Sequence, residues 1–190
     1  MDFGIFMLMQ QRNMHKTSYQ ILRDAVEQTR LADEAGFGTA WFAEHHFSNY
    51  GMCSSPLTMI AHCAAVTRKI RLGSGIVVAP LYQPARLIAD VAMVDQLSDG
   101  RLNLGIGSGY QHFEFERFNV SLETAKQRTF EMLDMLELGL REPKFAYDGQ
   151  FYKQPESAIS QRAVQQPMPP LWVTSVDPTF IARAVVLRSV

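Results

Sequence analysis

The sequence predicts a parallel α/β fold. Apolar runs of strand length alternate with longer segments of helical period along the chain, which is the pattern of strand–helix repeats rather than of separate α and β blocks. One of the runs, residues 70–78, is apolar almost throughout, as expected of a strand covered on both faces. Glycine, proline and Asp-Gly signals then fall between the periodic segments.

Residues 3–8 predict the first strand. A helix over 18–35 follows, with Ile21, Leu22, Ala25, Val26, Ala32 and Ala35 as its buried stripe and Gly36 as its stop. Residues 39–43 predict a second strand. The Ser55-Pro56 pair reads as an N-cap followed by proline at the first helical position, opening a helix to about residue 68. After the third strand, Pro84 opens a helix that ends near residue 97, and Asp99-Gly100 turns the chain.

Residues 102–107 predict a fourth, glycine-interrupted strand. A long helix over 121–140 carries Phe130, Leu133, Leu136, Leu138 and Leu140, and Gly139 and Pro143 mark its end. Residues 145–153, centred on Asp148-Gly149, predict a small hairpin. The proline-rich QQPMPP at 165–170 leads into a fifth strand over 171–174, and 178–187 predicts a last helix. About five strand–helix units suit either an open doubly wound sheet or a partial β/α barrel. A full barrel takes roughly 250 residues, so on the barrel reading this chain covers about five-eighths of the circle and leaves two unclosed sheet edges.

The 190 residues, 47% of them hydrophobic, are expected to form a single domain, 1–190, with an insertion at about 143–168. Eighteen basic against 19 acidic side chains give a net charge of -1, so charge offers no argument for binding nucleic acid or anionic membrane. Small-molecule chemistry is the default. The two cysteines, with Cys63 inside a helical run, argue against a disulfide framework and for a reducing compartment. The N-terminus carries Asp2 and only a short apolar stretch, unlike a signal peptide or a spanning helix, so a cytoplasmic location is expected.

The stretch WFAEHHF, residues 41–47, sets a carboxylate and two histidines at a strand end, where parallel α/β folds put their ligands. Strand parity puts Glu44 and His46 on one side and His45 on the other, which weakens a metal pair. His45 is then a candidate general acid or base, since imidazole has an ordinary pKa of ~6.5; hydrogen bonding to loop backbone is the rival reading. GIGSGY at 105–110 fails the dinucleotide fingerprint, because Tyr110 stands where the third glycine belongs, and the following QHFEFERF has no clear helix start. Gly105, Gly107 and Gly109 instead remove side chains so that a flat ligand or another backbone can approach. GSGIVVAP at 73–80 could form a smooth wall behind a planar ring. Arg128, early in the long helix, could meet a phosphate, or be simply solvated.

In order, AGFGTAWFAEHHFSNYG, IRLGSGIVVAPLYQPAR, DQLSDGRLNLGIGSGYQHFEFERF and VQQPMPPLWVTS resemble the bacterial luciferase-like family of flavin-dependent monooxygenases, over nearly the whole chain. The resemblance implies a (β/α)8 TIM-type barrel with an insertion, incomplete here, with about three further strand–helix units of the family pattern absent. It implies reduced FMN at the C-terminal strand ends, with His45 as active-site acid or base and a non-proline cis peptide between Gly75 and Ile76 beneath the flavin ring. Gly107 and Ser108 match pocket-lining positions; the luciferase subunit has cysteine and arginine there, which argues against light emission and a long-chain aldehyde substrate. Arg128, Thr174 and Ser175 match phosphate contacts.

The implied reaction is oxygenation of a small organic substrate by O2 through a C4a-peroxyflavin, with FMN reduced by a separate reductase and the oxygenase a homodimer. No metal is implied. Family members that use the deazaflavin F420 make an F420-dependent hydride transferase the alternative. A non-catalytic, incomplete flavin-binding module and a metal-dependent hydrolase built on Glu44 and His46 are more distant readings.

Overall fold

A computed structural model describes residues 3–188. In chain order its elements are β1 (Gly4–Met7), α1 (Ser18–Glu34), β2 (Thr39–Phe42), α2 (Pro56–Ala64), β3 (Arg71–Ser74), β4 (Val77–Val78), α3 (Pro84–Leu97), β5 (Leu102–Gly107), α4 (His112–Arg117), α5 (Ala125–Arg141), β6 (Phe145–Asp148), β7 (Lys153–Ser157), β8 (Leu171–Val173) and α6 (Pro178–Arg188). Single 3-10 turns at Ala79–Leu81 and Leu122–Thr124 precede α3 and α5.

Local chemistry starts the helices where the sequence predicts. Ser55 caps α2 by accepting the Thr58 N–H, with Pro56 at the first helical position. Thr17 and Gln20 form a capping box at α1, and Gln83 caps α3. Gly36 takes a φ of +81° just after α1, which favours glycine.

Parallel pairing runs β1–β2–β3–β5, and β5 also pairs with β4 and, on its other side, with β8. Each new strand thus adds on the same side of the previous one. A doubly wound sheet would reverse its strand order at a switch point, and none occurs, so this is an arc of a β/α barrel. Helices α1, α2, α3 and α5 pack in sequence along the outside.

Burial follows the two-residue period of the strands. Ala40 and Phe42 are buried under the helices while Thr39 and Trp41 between them are half-buried, and β1 repeats the pattern with Met7 buried and Phe6 exposed. The outer core is continuous through Phe42, Ile60, Leu72, Ile88, Leu104, Ile106 and Leu136.

Four differences from the sequence reading have physical causes. First, α2 stops at Ala64 rather than near residue 68. Asp33 accepts the N–H groups of Arg68, Lys69 and Ile70, and the Arg101 guanidinium bonds the carbonyls of Ala64, Thr67 and Ile70, so these backbone groups are taken by partners outside a helix.

Second, the expected strand over 70–78 is two strands, interrupted at a cis Gly75–Ile76 peptide bond. The step from Gly73 to Val77 faces the shorter step from Asn103 to Ile106, so the register slips by one residue across the break. Third, QHFEFERF does contain a helix, α4, begun at Gln111 without a side-chain cap, so no local signal announced it. Fourth, the hairpin lies further along the chain than residues 145–153. The Glu131 carboxylate accepts N–H groups of Gln150, Phe151 and Tyr152, which holds them as the connection between β6 and β7.

Candidate active site

The C-terminal ends of β1, β2, β3, β5 and β8 surround a cavity of about 590 Å³, within the usual range for small-molecule sites. His45, Gly75, Ile76, Gly107, Ser108 and Thr174, which sequence reasoning singled out separately, all line it. Phe6, Trp41, Val78 and Trp172 supply apolar wall, and the rings of Trp41 and Trp172 meet edge to face at 5.2 Å. Arg128 and Ser175 do not line this cavity.

After Phe42 the chain leaves the strand, yet the expected pairing of Glu44 with His46 holds. The Glu44 and His46 side chains meet, with Glu44 Oε1 2.8 Å from His46 Nε2. The second Glu44 oxygen accepts the Val78 N–H at 3.0 Å and the Tyr82 hydroxyl at 2.9 Å. Burial, reinforced by the Glu44 charge, pushes the Tyr82 phenol far up, so it stays a donor to that carboxylate. Glu44 therefore ties the end of β2 to β4. Among the described residues, no group of three or more His, Cys, Asp or Glu side chains could hold a metal ion.

His45 also lines the cavity, with different partners. Its Nδ1 lies 3.1 Å from Oε1 of Glu114, a buried residue of α4, and the same oxygen accepts the His46 N–H at 2.8 Å. The His45 ring stands edge-on to Tyr50 at 4.7 Å and to Tyr110 at 6.3 Å. Glu114, Tyr50 and Tyr110 escaped sequence reasoning, since Glu114 meets His45 across 69 residues and comes from a helix with no cap signal.

The glycines divide between the two roles the sequence allowed. A Cβ on Gly105 would lie 1.9 Å from the Ser74 carbonyl oxygen, so close backbone packing alone requires glycine there. Gly109 has a φ of +75° and abuts Val78 and Phe115. Gly107 is looser: a Cβ would sit 3.1 Å from the tip of Ile76, so its bareness also keeps the cavity wall flat.

Arg128 lies on α5 with its guanidinium 4.7 Å from the centre of the Phe151 ring and its Nε bonded to Thr124. It forms no ion pair among the described residues. Nearby, the buried Tyr152 hydroxyl has no hydrogen-bond partner among the described residues. Burial raises this phenol, and the Arg128 side chain, as a nearby donor and as a charge, opposes the rise. A cation without an ion-pair partner among the described residues, beside a buried hydroxyl, is a donor set that fits an anionic group. Ser175 accepts the Asp177 N–H at the start of α6. Cys53 and Cys63 are buried free thiols, pushed up by burial to about 12 and about 11, and take no part in the cavity's chemistry.

A parallel barrel arc with a ligand-sized cavity at its C-terminal strand ends, walled by aromatic and small residues, defines a barrel enzyme class that binds its ligands at that face. Comparison with known proteins narrows the class. Residues 1–186 match the family described as luciferase-like monooxygenase, and the chain belongs to that family. It is 48% identical over 184 residues to the uncharacterized protein y4vJ of Sinorhizobium fredii, covering 97% of this chain and 52% of that protein. It is 34% identical over 180 residues to the oxygenase component of the flavin-dependent trigonelline monooxygenase of Acinetobacter baylyi, covering 94% of this chain and 50% of that protein.

The crystal structure of the monooxygenase RslO1 from Streptomyces bottropensis superimposes with a TM-score of 0.88 at 29% identity, covering 93% of this chain and 54% of that one. Two further structures share the fold. The oxygenating constituent of 3,6-diketocamphane monooxygenase of Pseudomonas putida, in complex with FMN, has a TM-score of 0.79 at 21% identity, covering 92% of this chain and 51% of that one. An F420-dependent secondary alcohol dehydrogenase has a TM-score of 0.77 at 18% identity, covering 92% and 52%. The chain thus spans about half the length of the relatives it matches.

Proposed function

We propose that the protein, as residues 1–190 of a barrel domain with an insertion at about 143–168, serves a flavin-dependent monooxygenase. In this reading it holds reduced FMN in the cavity at the strand ends and oxygenates a small organic substrate. The observation that carries the reading is the convergence on one cavity of His45, Gly75, Ile76, Gly107, Ser108 and Thr174. Bound FMN would supply the oxygen chemistry, through a C4a-peroxyflavin.

The chain's own residues do the rest. Ile76 and Val78 present an apolar face to one side of a planar ring, and Gly107 keeps that space clear. Ser108 and Thr174 offer hydroxyls to its polar edge. Arg128 and Ser175 are the proposed phosphate contacts, supported by the uncompensated Arg128 charge. Trp41, Phe6 and Trp172 keep water from the reacting atoms, and His45 takes and returns the proton at the cavity wall. A separate reductase would deliver the reduced flavin, as the wording "oxygenase component" states for the Acinetobacter relative. The working assembly is a homodimer in a reducing, cytoplasmic setting. No described helix is long and apolar enough to cross a membrane.

The F420-dependent fold neighbour supports a second reading, hydride transfer with the deazaflavin. Anaerobic titration separates the two. Reduced FMN is expected to bind saturably and more tightly than reduced F420. Tighter F420 binding would favour hydride transfer, and binding of neither would sink the cofactor assignment.

A further inference from the structure

We propose that Glu114 is a positioning residue for His45, holding the imidazole with its proton on Nδ1 so that Nε2 is the nitrogen that exchanges protons in the cavity. The inference rests on the role given to His45 above and adds which of its two nitrogens acts and what selects it.

The Glu114 side chain cannot wander. The residue is 2% exposed, and its Oε1 is pinned by the His46 backbone N–H at 2.8 Å. A carboxylate oxygen can only accept, and this one also faces Nδ1 of His45, at 3.1 Å. Nδ1 must then be the donor, and a neutral imidazole with Nδ1–H has its lone pair on Nε2. Among the described residues, Nε2 has no hydrogen-bond partner.

The surroundings hold the ring plane as well as the proton. Tyr50 packs against it at an interplanar angle of 75°, and a Cβ on Gly51 would lie 3.1 Å from the His45 Cβ, so glycine is what lets the ring sit against that loop. The helix that carries Glu114 is itself anchored, with Phe115 buried against Val78 and Ala125. A carboxylate needed only to satisfy the His46 N–H would have no reason to share that oxygen with His45; the shared oxygen couples the backbone of one histidine to the ring of the other.

The tautomer can be read directly in the ligand-free protein by long-range proton–nitrogen NMR on 15N-histidine-labelled chain. The five histidines are distinguished by the loss of one signal in His45→Gln. Above the imidazole titration range, His45 is expected to show a protonated Nδ1 and a bare Nε2. Glu114→Gln, whose amide oxygen can occupy the same position, should keep this pattern. Glu114→Ala should lose it in favour of the Nε2–H form or a mixture.

A wild-type His45 protonated on Nε2 overturns the proposal, as does a folded Glu114→Ala that keeps the wild-type pattern. If Glu114→Ala does not fold, the wild-type spectrum alone decides. Because no flavin is involved, the two readings fail separately: a locked tautomer with turnover indifferent to His45 would sink the proton-transfer role of His45 while leaving Glu114 as the residue that sets its tautomer.

Discussion

On the outer face of the sheet, Phe42, Leu72, Leu104 and Ile106 lie fully buried beneath the helices, whereas on the inner face Phe6 and Trp172 are 61% and 44% exposed. The same strands supply both sets by alternation. The difference separates two tasks. The outer face closes on residues the chain itself provides, and carries stability. The inner face keeps aromatic surface open around the strand-end cavity, which His45, Ile76 and Thr174 also line.

The largest effect expected from this division is on the outer side. Leu104→Ala removes a fully buried side chain and should cost about 3–4 kcal/mol in urea unfolding. Phe6→Ala, on the inner side, should cost about 1 kcal/mol or less. Equal costs would break the distinction between the faces.

Between these extremes lies Asp33, which organises the helix layer rather than the cavity. Burial alone would raise its carboxyl, but three backbone N–H donors and the Arg101 charge outweigh burial, so its pKa is lowered. A carboxylate lowered on folding stabilises the fold above its unfolded value of ~3.9 and loses that contribution as pH falls through the lower folded value. Asp33→Asn should therefore lower stability at neutral pH by about 1–2 kcal/mol and flatten the acid limb of the stability curve. An unchanged acid limb, measured by denaturant midpoints across pH, would remove Asp33 as its cause.

The sequence was most informative where local chemistry decides the outcome. Helix α3 and strand β5 occupy the residues predicted, because Pro84 starts one and Asp99-Gly100 separates them. Strand parity paired Glu44 with His46, and these side chains do meet, while Glu44 and His45 line the same cavity. What escaped depends on distant partners. The early end of α2 is set by Asp33 and Arg101, and the shifted hairpin by Glu131. Strand order, which decides barrel against doubly wound sheet, is tertiary and has no local signature. Glu114 is the clearest case, a residue of an uncapped six-residue helix that reaches back to the EHH stretch.

Under the proposed function, the open inner face is a flavin site in which His45 moves protons. Its most direct test pairs FMN binding with oxygenation kinetics in wild-type protein and His45→Ala. The variant is expected to bind reduced FMN within about 2-fold of wild type but to slow oxygen transfer by ~100-fold or more, the usual scale of lost general acid–base catalysis. Oxygen transfer at the wild-type rate in His45→Ala would contradict it.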